Sequence, residues 1–357
     1  MKEFLLQSDI LEIIEYLGPA AKELEGKTVV LTGARGFLGR YFTEVFLHLN
    51  KEIFRKPCEV VALDNLITAG EAGAQIPGAA PGFKFLKHDV TEPFGPDFVN
   101  RRVDYILHCA GIASPYYYRA HPLKTLDVAV TGGRNMLELA KTNGSRIVFF
   151  SSSEIYGDPD PKHLPTPESY RGNVACLGPR ACYDESKRLG ETLTYIYHNE
   201  FGVHTNIIRP FNVYGPGMQE KDYRVLPNFA HRIKQGSHLK VYGTGRQTRT
   251  FCYITDAIAG FLLAMIKGVP GEPYNIGNPT PELSMLELTQ TIEAVLARKL
   301  DVDVIEYPDS YPADEPNRRC PDITKARLQL GYEPRVALKE GLKRFFGWSQ
   351  RSYTGEE

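Results

Sequence analysis

The chain has 357 residues, 42 of them Lys or Arg and 43 Asp or Glu, giving a formal net charge of −1; with no global basic field, nucleic acid is not an expected partner. Six cysteines (Cys58, Cys109, Cys176, Cys182, Cys252, Cys320) form no C-x-x-C pair and no Cys/His cluster with zinc spacing, so they read as reduced thiols and no metal is expected. No apolar run approaches the roughly 20 residues needed to cross a bilayer, and Glu3, Asp9, Glu12 and Glu15 interrupt the N-terminal apolar residues, so neither a membrane span nor a secretory leader is expected and the reading is a cytoplasmic protein.

Residues 1–26 place Leu6, Ile10, Ile13, Ile14 and Leu17 at helical spacing, and Gly18-Pro19 ends the predicted helix. It reads as a surface helix packed on the main body, or as one that binds a partner. From Lys27 the texture changes to strands, at 28–31, 59–63, 83–86, 104–108, 146–150 and 205–209, alternating with helices that include 37–49, 123–142 and 181–200. Near-continuous apolar strands between helices predict a parallel sheet covered on both faces. After Phe211-Asn212 the chain becomes loop-rich, with Gly215-Pro216-Gly217, Gly243-Thr244-Gly245 and Gly277-Asn278-Pro279. The expected organisation is an N-terminal helical extension (1–26), a nucleotide-binding domain (27–213, with 251–270 returning to it), a smaller α/β substrate lobe (214–350) and a tail (351–357).

The first strand runs into Gly33-x-x-Gly36-x-x-Gly39, and a helix opens at Phe37-Leu38. The first glycines permit a tight turn and close approach of a pyrophosphate, and the last lets helix pack on strand. The helix N-terminus then offers free N–H groups to phosphate oxygens. Asp64, followed by Asn65, ends the second strand, where a carboxylate accepts hydrogen bonds from a ribose diol and repels a 2′-phosphate, so NAD is favoured over NADP; Arg35 inside the loop points the other way. Asp89-Val90 after the third strand suits the adenine edge, and Ala110 beyond the fourth belongs where the cofactor lies close. The fold class expected is thus α/β, a Rossmann-type doubly wound parallel sheet with a smaller C-terminal α/β lobe.

The fifth strand runs into Ser151-Ser152-Ser153-Glu154, and Tyr183 and Lys187 follow at i and i+4 on one helix face. An ammonium beside a phenol, together with an oxidised nicotinamide, stabilises the phenolate, so Tyr183 can act as a base near neutral pH. Ser152 would hydrogen-bond the same substrate hydroxyl.

The glycine motif with Ser152 and Tyr183-x-x-x-Lys187 resembles the extended short-chain dehydrogenase/reductase family, the NAD-dependent nucleotide-sugar epimerases and dehydratases, from Lys27 to about Trp348. More narrowly, Ala113-Ser114-Pro115-Tyr116, Ser153-Glu154-Ile155-Tyr156-Gly157-Asp158-Pro159, Gly178-Pro179-Arg180-Ala181-Cys182-Tyr183-Asp184-Glu185, Gln247-Thr248-Arg249 and Arg319-Cys320-Pro321-Asp322-Ile323 are similar to the UDP-glucuronate decarboxylases. The resemblance implies that Tyr183 takes the proton of the sugar 4-hydroxyl while C4 is oxidised by NAD, that the resulting β-keto acid loses CO2, and that C4 is then reduced again. It implies roles for Glu154 and Arg319 in the middle step. It places Ser114, Pro115, Ser153, Asn212, Val241, Tyr242, Arg249 and Arg319 about a UDP-sugar, although Arg249 and Arg319 could each instead serve a surface ion pair. It further implies a homodimer through 123–142 and 181–200, where Leu126, Val130, Met136, Leu189, Leu193 and Ile196 supply apolar surface.

Two departures from the decarboxylase pattern stand out: Ser152-Ser153-Glu154 replaces Thr-Ser-Glu, and Gly217 replaces an arginine. The first keeps the hydroxyl; the second bears on the sugar contact. A 4-epimerase needs only Tyr183, Lys187 and room for a keto sugar to rotate, and remains the alternative. A 4,6-dehydratase ranks below it, since Ser153 stands where that chemistry needs a proton donor. A nucleotide-sensing protein without turnover is disfavoured by the intact Ser152, Tyr183 and Lys187.

Overall fold

A computed structural model describes residues 4–69, 75, 78, 80–307 and 316–356. Its centre is a seven-stranded sheet of β1 (Thr28–Thr32), β2 (Glu59–Asp64), β3 (Phe83–Lys87), β4 (Tyr105–His108), β5 (Arg146–Phe150), β6 (His204–Pro210) and β7 (Pro273–Ile276). The strand order is β7-β6-β5-β4-β1-β2-β3, and every neighbouring pair is parallel. The winding runs outward from β1 in one direction and from β4 in the other. A crevice therefore opens between these two strands, beyond their carboxyl ends. All five residues of β1 are buried, as expected of a strand covered by helices on both faces.

Six strands lie where the apolar runs predict them. The seventh, β7, opens on a proline and carries an asparagine, both weak strand formers, so its local sequence gives little signal. Pairing to β6 at Ile207 through Pro210 holds it in the sheet.

The helices that position the site are α1 (Gln7–Leu17), α2 (Phe37–Glu52), α3 (Gly133–Asn143), α4 (Ala181–Phe201) and α5 (Ile254–Lys267). α4 buries Tyr183, Ser186, Lys187, Gly190, Leu193, Thr194 and Tyr197, a stripe at helical spacing, and ends at Gly202 in the left-handed region. The helix expected over 123–142 is not continuous. Pro122–Asp127 leads into a π-helical turn at Val128–Gly132 before α3, and that wide turn carries Val128 to the nucleotide cleft. α1 packs its Ile10, Ile13 and Leu17 into the main core, and its buried Asp9 accepts hydrogen bonds from the Tyr253 and Tyr41 hydroxyls.

Beyond β6 the chain builds short ladders. Thr248–Arg249 lies between Leu283–Ser284, antiparallel, and Arg318–Arg319, parallel, with Arg249 directly beside Arg319. Leu239–Tyr242 pairs with Val302–Ile305. Among the described residues no helix is long and apolar enough to cross a membrane, and no group of His, Cys, Asp and Glu is placed to hold a metal ion.

Candidate active site

The turn after β1 is shaped by two close approaches. Gly33 has φ +67°, and a Cβ there would stand 2.8 Å from the Ala110 backbone. A Cβ on Gly39 would stand 2.1 Å from the Gly33 carbonyl oxygen. With both side chains absent, α2 begins against the sheet and turns its N-terminus to the crevice. Asp64 is fixed beside the loop: Oδ2 accepts from the Arg35 amide at 2.8 Å and Oδ1 from the Leu66 amide at 2.7 Å. Asn65 donates to Asp89 at 2.8 Å. Gly33, Gly36, Phe37, Leu38, Gly39, Asp64, Asn65, Asp89, Val90, Ala110, Tyr183 and Lys187 all line this one cleft. A tight glycine turn whose packing against Ala110 and Ala34 leaves no room for side chains at Gly33 and Gly39, a helix N-terminus and a carboxylate at the end of β2 fit a dinucleotide.

The reacting groups sit where β5 ends. Lys187 Nζ donates to the Phe150 carbonyl at 2.7 Å and lies 5.7 Å from the centroid of the Tyr183 ring. Burial lowers Lys187 to about 8. Burial also pushes the Tyr183 phenol up to about 12, opposed by a hydrogen bond with Ser152. The base near neutral pH that the sequence suggests is therefore not a property of the protein groups alone. Tyr118 stacks on Tyr183 with centroids 5.4 Å apart and planes 15° from parallel, which fixes the phenol's direction.

A second cavity adjoins the first, and Ala113, Glu154, Tyr183, Asn212, Val213 and Arg224 line both. Pro115, Val241, Tyr242, Arg249 and Arg319 line the second, and Ser152 and Ser153 the first. Glu154 stands in a short 3₁₀ turn, Ser153–Tyr156, capped by the Ser152 hydroxyl, which accepts from the Glu154 amide at 3.2 Å. Arg319 grips its carboxylate at both oxygens, 2.5 and 2.6 Å, and Arg180 donates to Oε2 as well. Burial opposes ionisation, yet Arg180, Arg319 and Arg249 hold Glu154 below its ordinary value. Asp184, 3.5 Å from the Arg180 guanidinium, is pushed up to about 7 by burial and by the Glu154 charge.

Two expectations about substrate contacts need adjusting. Ser114 lines neither cavity, because its hydroxyl turns to Asp222 at 3.4 Å. Gly217, the departure from the arginine pattern, also lies outside both cavities, and its carbonyl accepts from the buried Arg40 guanidinium. Sequence reasoning missed Arg180, Tyr118 and Arg224. Arg180 carried a readable signal, since it stands one helical turn before Tyr183 in the most specific stretch of the chain. Arg224 carried none, because its place beside Tyr183 comes from the return of the lobe.

Comparison with known proteins agrees with this geometry. The profile of the NAD dependent epimerase/dehydratase family matches residues 29–277. The chain is similar to UDP-glucuronic acid decarboxylase 6 of Arabidopsis thaliana, 41% identical over 314 residues that make up 88% of this chain and 86% of that protein. Among solved structures, an epimerase from Methanothermobacter thermautotrophicus is 29% identical, covering 96% of this chain and 95% of its own at a TM-score of 0.77. A dTDP-glucose 4,6-dehydratase from Streptomyces venezuelae, solved with NAD, is 27% identical, covering 90% and 96% at a TM-score of 0.76.

Proposed function

Since this chain belongs to the NAD dependent epimerase/dehydratase family, enzymes of the extended short-chain dehydrogenase/reductase class, we propose that it decarboxylates UDP-glucuronate to UDP-xylose through a 4-keto sugar, with NAD regenerated in each cycle. The observation that carries this reading is the pairing of Glu154 with Arg319 beside Tyr183, where the two cavities meet. Inverting C4 does not itself require such a pair, whereas loss of CO2 leaves a carbon at C5 that must be protonated.

NAD, when bound, supplies a reversible acceptor for the hydrogen and electron pair at C4. Tyr183 takes the proton of the 4-hydroxyl, and Ser152 hydrogen-bonds the same oxygen. Lys187 keeps a positive charge near the phenolate, which burial alone would disfavour. A carbonyl at C4 is β to the C6 carboxylate, so the C5–C6 bond breaks as CO2 leaves and its electron pair becomes an enolate on the C4 oxygen. Tyr183, now a phenol, and Ser152 donate to that oxyanion. Glu154 and Arg319 act in this middle step and in protonation at C5; reduction at C4 completes the product. Arg249, on the ladder beside Arg319, offers a planar fork to the diphosphate.

The same reading includes a homodimer through α4 and the 122–143 segment. Met136 and Leu193, which the sequence offers to that surface, are buried in the core. Outward apolar residues on these segments include Leu123, Leu189 and Ile196, and α4 also exposes Tyr195 and Phe201. Light scattering at micromolar concentration should give twice the chain mass, and a monomer there would refute the dimer.

The deciding experiment is NMR of the products from a panel of UDP-, dTDP-, CDP- and GDP-sugars, uronic acids included. UDP-glucuronate should yield UDP-xylose and CO2. Glu154→Gln or Arg319→Ala should slow CO2 release more than the rise of absorbance at 340 nm. Return of the C4 epimer with its carboxylate intact would overturn the proposal.

A further inference from the structure

Gly217, where the chain departs from the decarboxylase pattern, is also where the N-terminal segment crosses the turn that follows Asn212. Its φ is +93°, and a Cβ there would stand 2.9 Å from Leu5 Cδ2 and 3.3 Å from the Phe4 carbonyl oxygen. An arginine would carry its side chain into the space that Leu5 and Phe4 fill, on a backbone that favours glycine. Three carbonyls hold this turn. Pro216 accepts from the Tyr41 hydroxyl at 3.0 Å, Gly217 from the Arg40 guanidinium that lies over the Phe4 ring, and Met218 from the Tyr353 hydroxyl at 3.0 Å. The same stretch reaches the site, since Asn212 and Val213 line both cavities and Tyr214 and Met218 the second.

Asp9 of α1 stands behind the turn, fully buried. Val213–Tyr214 pairs with Cys252–Tyr253, and the Tyr253 hydroxyl lies 3.0 Å from Asp9 Oδ1 and 2.9 Å from Oδ2. The Tyr41 hydroxyl lies 3.2 Å from Oδ2 and has one hydrogen to share between that oxygen and the Pro216 carbonyl. A carboxylic acid at Asp9 resolves the competition: it donates to the Tyr41 oxygen, Tyr41 donates to Pro216, and Tyr253 donates to Oδ1. The charged groups facing Asp9 are Glu12 of its own helix and Arg344 of the helix Leu338–Ser352, 3.7 Å away and already bound to Glu12 and Glu340. Asp256 on α5 turns instead to the Arg335 and Val336 amides.

We propose that the N-terminal segment from Phe4 to Leu17 is a positioning element of the active site, which takes the place of the pattern's arginine at 217 and, through Asp9, Tyr41 and Tyr253, sets the turn that follows Asn212 and Val213. The inference rests on the nucleotide-sugar reading of the two cavities and not on the loss of CO2. Asp9 and Tyr41 line neither cavity, so both are positioning residues. Burial raises the Asp9 carboxyl to about 6, so its proton is present below that value and is lost as pH rises through it. The carboxylate then competes with the Pro216 carbonyl for the Tyr41 hydrogen, and the turn loosens.

The test measures UDP-glucose binding by calorimetry to NAD-loaded full-length protein in a Tyr183→Phe background that stops turnover. UDP-glucose carries no group that titrates between pH 5 and pH 8. At about pH 5.5, Asp9→Ala and Tyr41→Phe should each weaken it about fivefold, the loss of one buried hydrogen bond. The double variant should lose no more than about twofold beyond the weaker single, because both act through one hydrogen. Asp9→Asn, whose amide donates to Tyr41 as the acid does, should stay within about twofold of the parent and guards against a folding defect. Raising the pH from about 5 to 7.5 should weaken the parent about threefold relative to Asp9→Asn; groups common to both proteins cancel in that ratio. Singles that bind as the parent does, additive losses, or a ratio that does not change with pH would each overturn the inference alone. A parent that binds UDP-glucose, while the protein with Tyr183 makes no UDP-xylose from UDP-glucuronate, would overturn the decarboxylase reading alone. A parent that does not bind UDP-glucose would overturn both.

Discussion

The Lys187 ammonium donates to the carbonyl of Phe150, the last residue of β5, at 2.7 Å. A helix-borne cation is thereby tied to the strand end that delivers Ser152, and the distance between Tyr183 and its hydroxyl partner is set by the sheet. Burial lowers Lys187 to about 8, so the ammonium is present at neutral pH and is lost as pH rises through about 8. Turnover should fall across that range, because the phenolate form of Tyr183 depends on the neighbouring charge. Lys187→Arg, whose guanidinium stays protonated, should lower the rate but abolish this falling limb. Profiles of kcat against pH for both proteins decide it, and an unchanged limb in the variant would clear Lys187 of the role.

Tyr183→Phe removes the proton acceptor while keeping the ring that stacks on Tyr118. The rate should drop by roughly 10²–10⁴, the range for losing a general base. Mixing UDP-glucuronate with the NAD-loaded variant should give no absorbance at 340 nm within a wild-type turnover time. NAD itself should still bind, because the glycine loop and Asp64 are untouched.

Asp64 predicts a preference for NAD over NADP, since a carboxylate at the end of β2 repels a 2′-phosphate. Its oxygens also accept the Arg35 and Leu66 amides, so removing the side chain would disturb the loop. Asp64→Asn removes the charge and keeps an acceptor. The ratio of the NADP to the NAD dissociation constant, measured by calorimetry, should shrink in the variant. Tighter NADP binding by the wild type would show that Arg35 governs the choice.

Asp9 makes a stability prediction. Burial pushes its carboxyl up to about 6, against hydrogen bonds from Tyr253 and Tyr41 and the charge of Arg344. A folded-state value above the unfolded one means the native state binds the proton more tightly. The contribution is full below about pH 4 and is lost as pH rises through about 6, a change of about 3 kcal/mol. Asp9→Asn cannot titrate and its amide oxygen can accept from the Tyr253 hydroxyl. Urea denaturation should show the variant gaining on the wild type between about pH 4 and pH 7. A constant difference across that range would mean Asp9 does not titrate there.

Much of the nucleotide cleft was legible because its signals are local. A strand, three glycines at fixed spacing and an acidic residue ending the next strand carry their geometry within some thirty residues, and Tyr183 and Lys187 share a face by helical period alone. β7 and the π-helical turn at Val128–Gly132 were not legible. One depends on a partner strand and the other on the wall it packs against, and neither pattern is periodic.

From the sequence alone came the parallel α/β architecture and the residue types that do the chemistry, since hydrophobic period and motif spacing are properties of neighbours along the chain. What only the tertiary structure decided is which charges share a site. Glu154 and Arg319 lie 165 positions apart, and Arg319 reaches its partner because Arg318–Arg319 adds a strand beside Thr248–Arg249. Arg180 faces Glu154 across a bend between β5 and α4. The strength of such pairs depends on the water excluded around them, and that exclusion exists only once the lobe has closed against the sheet.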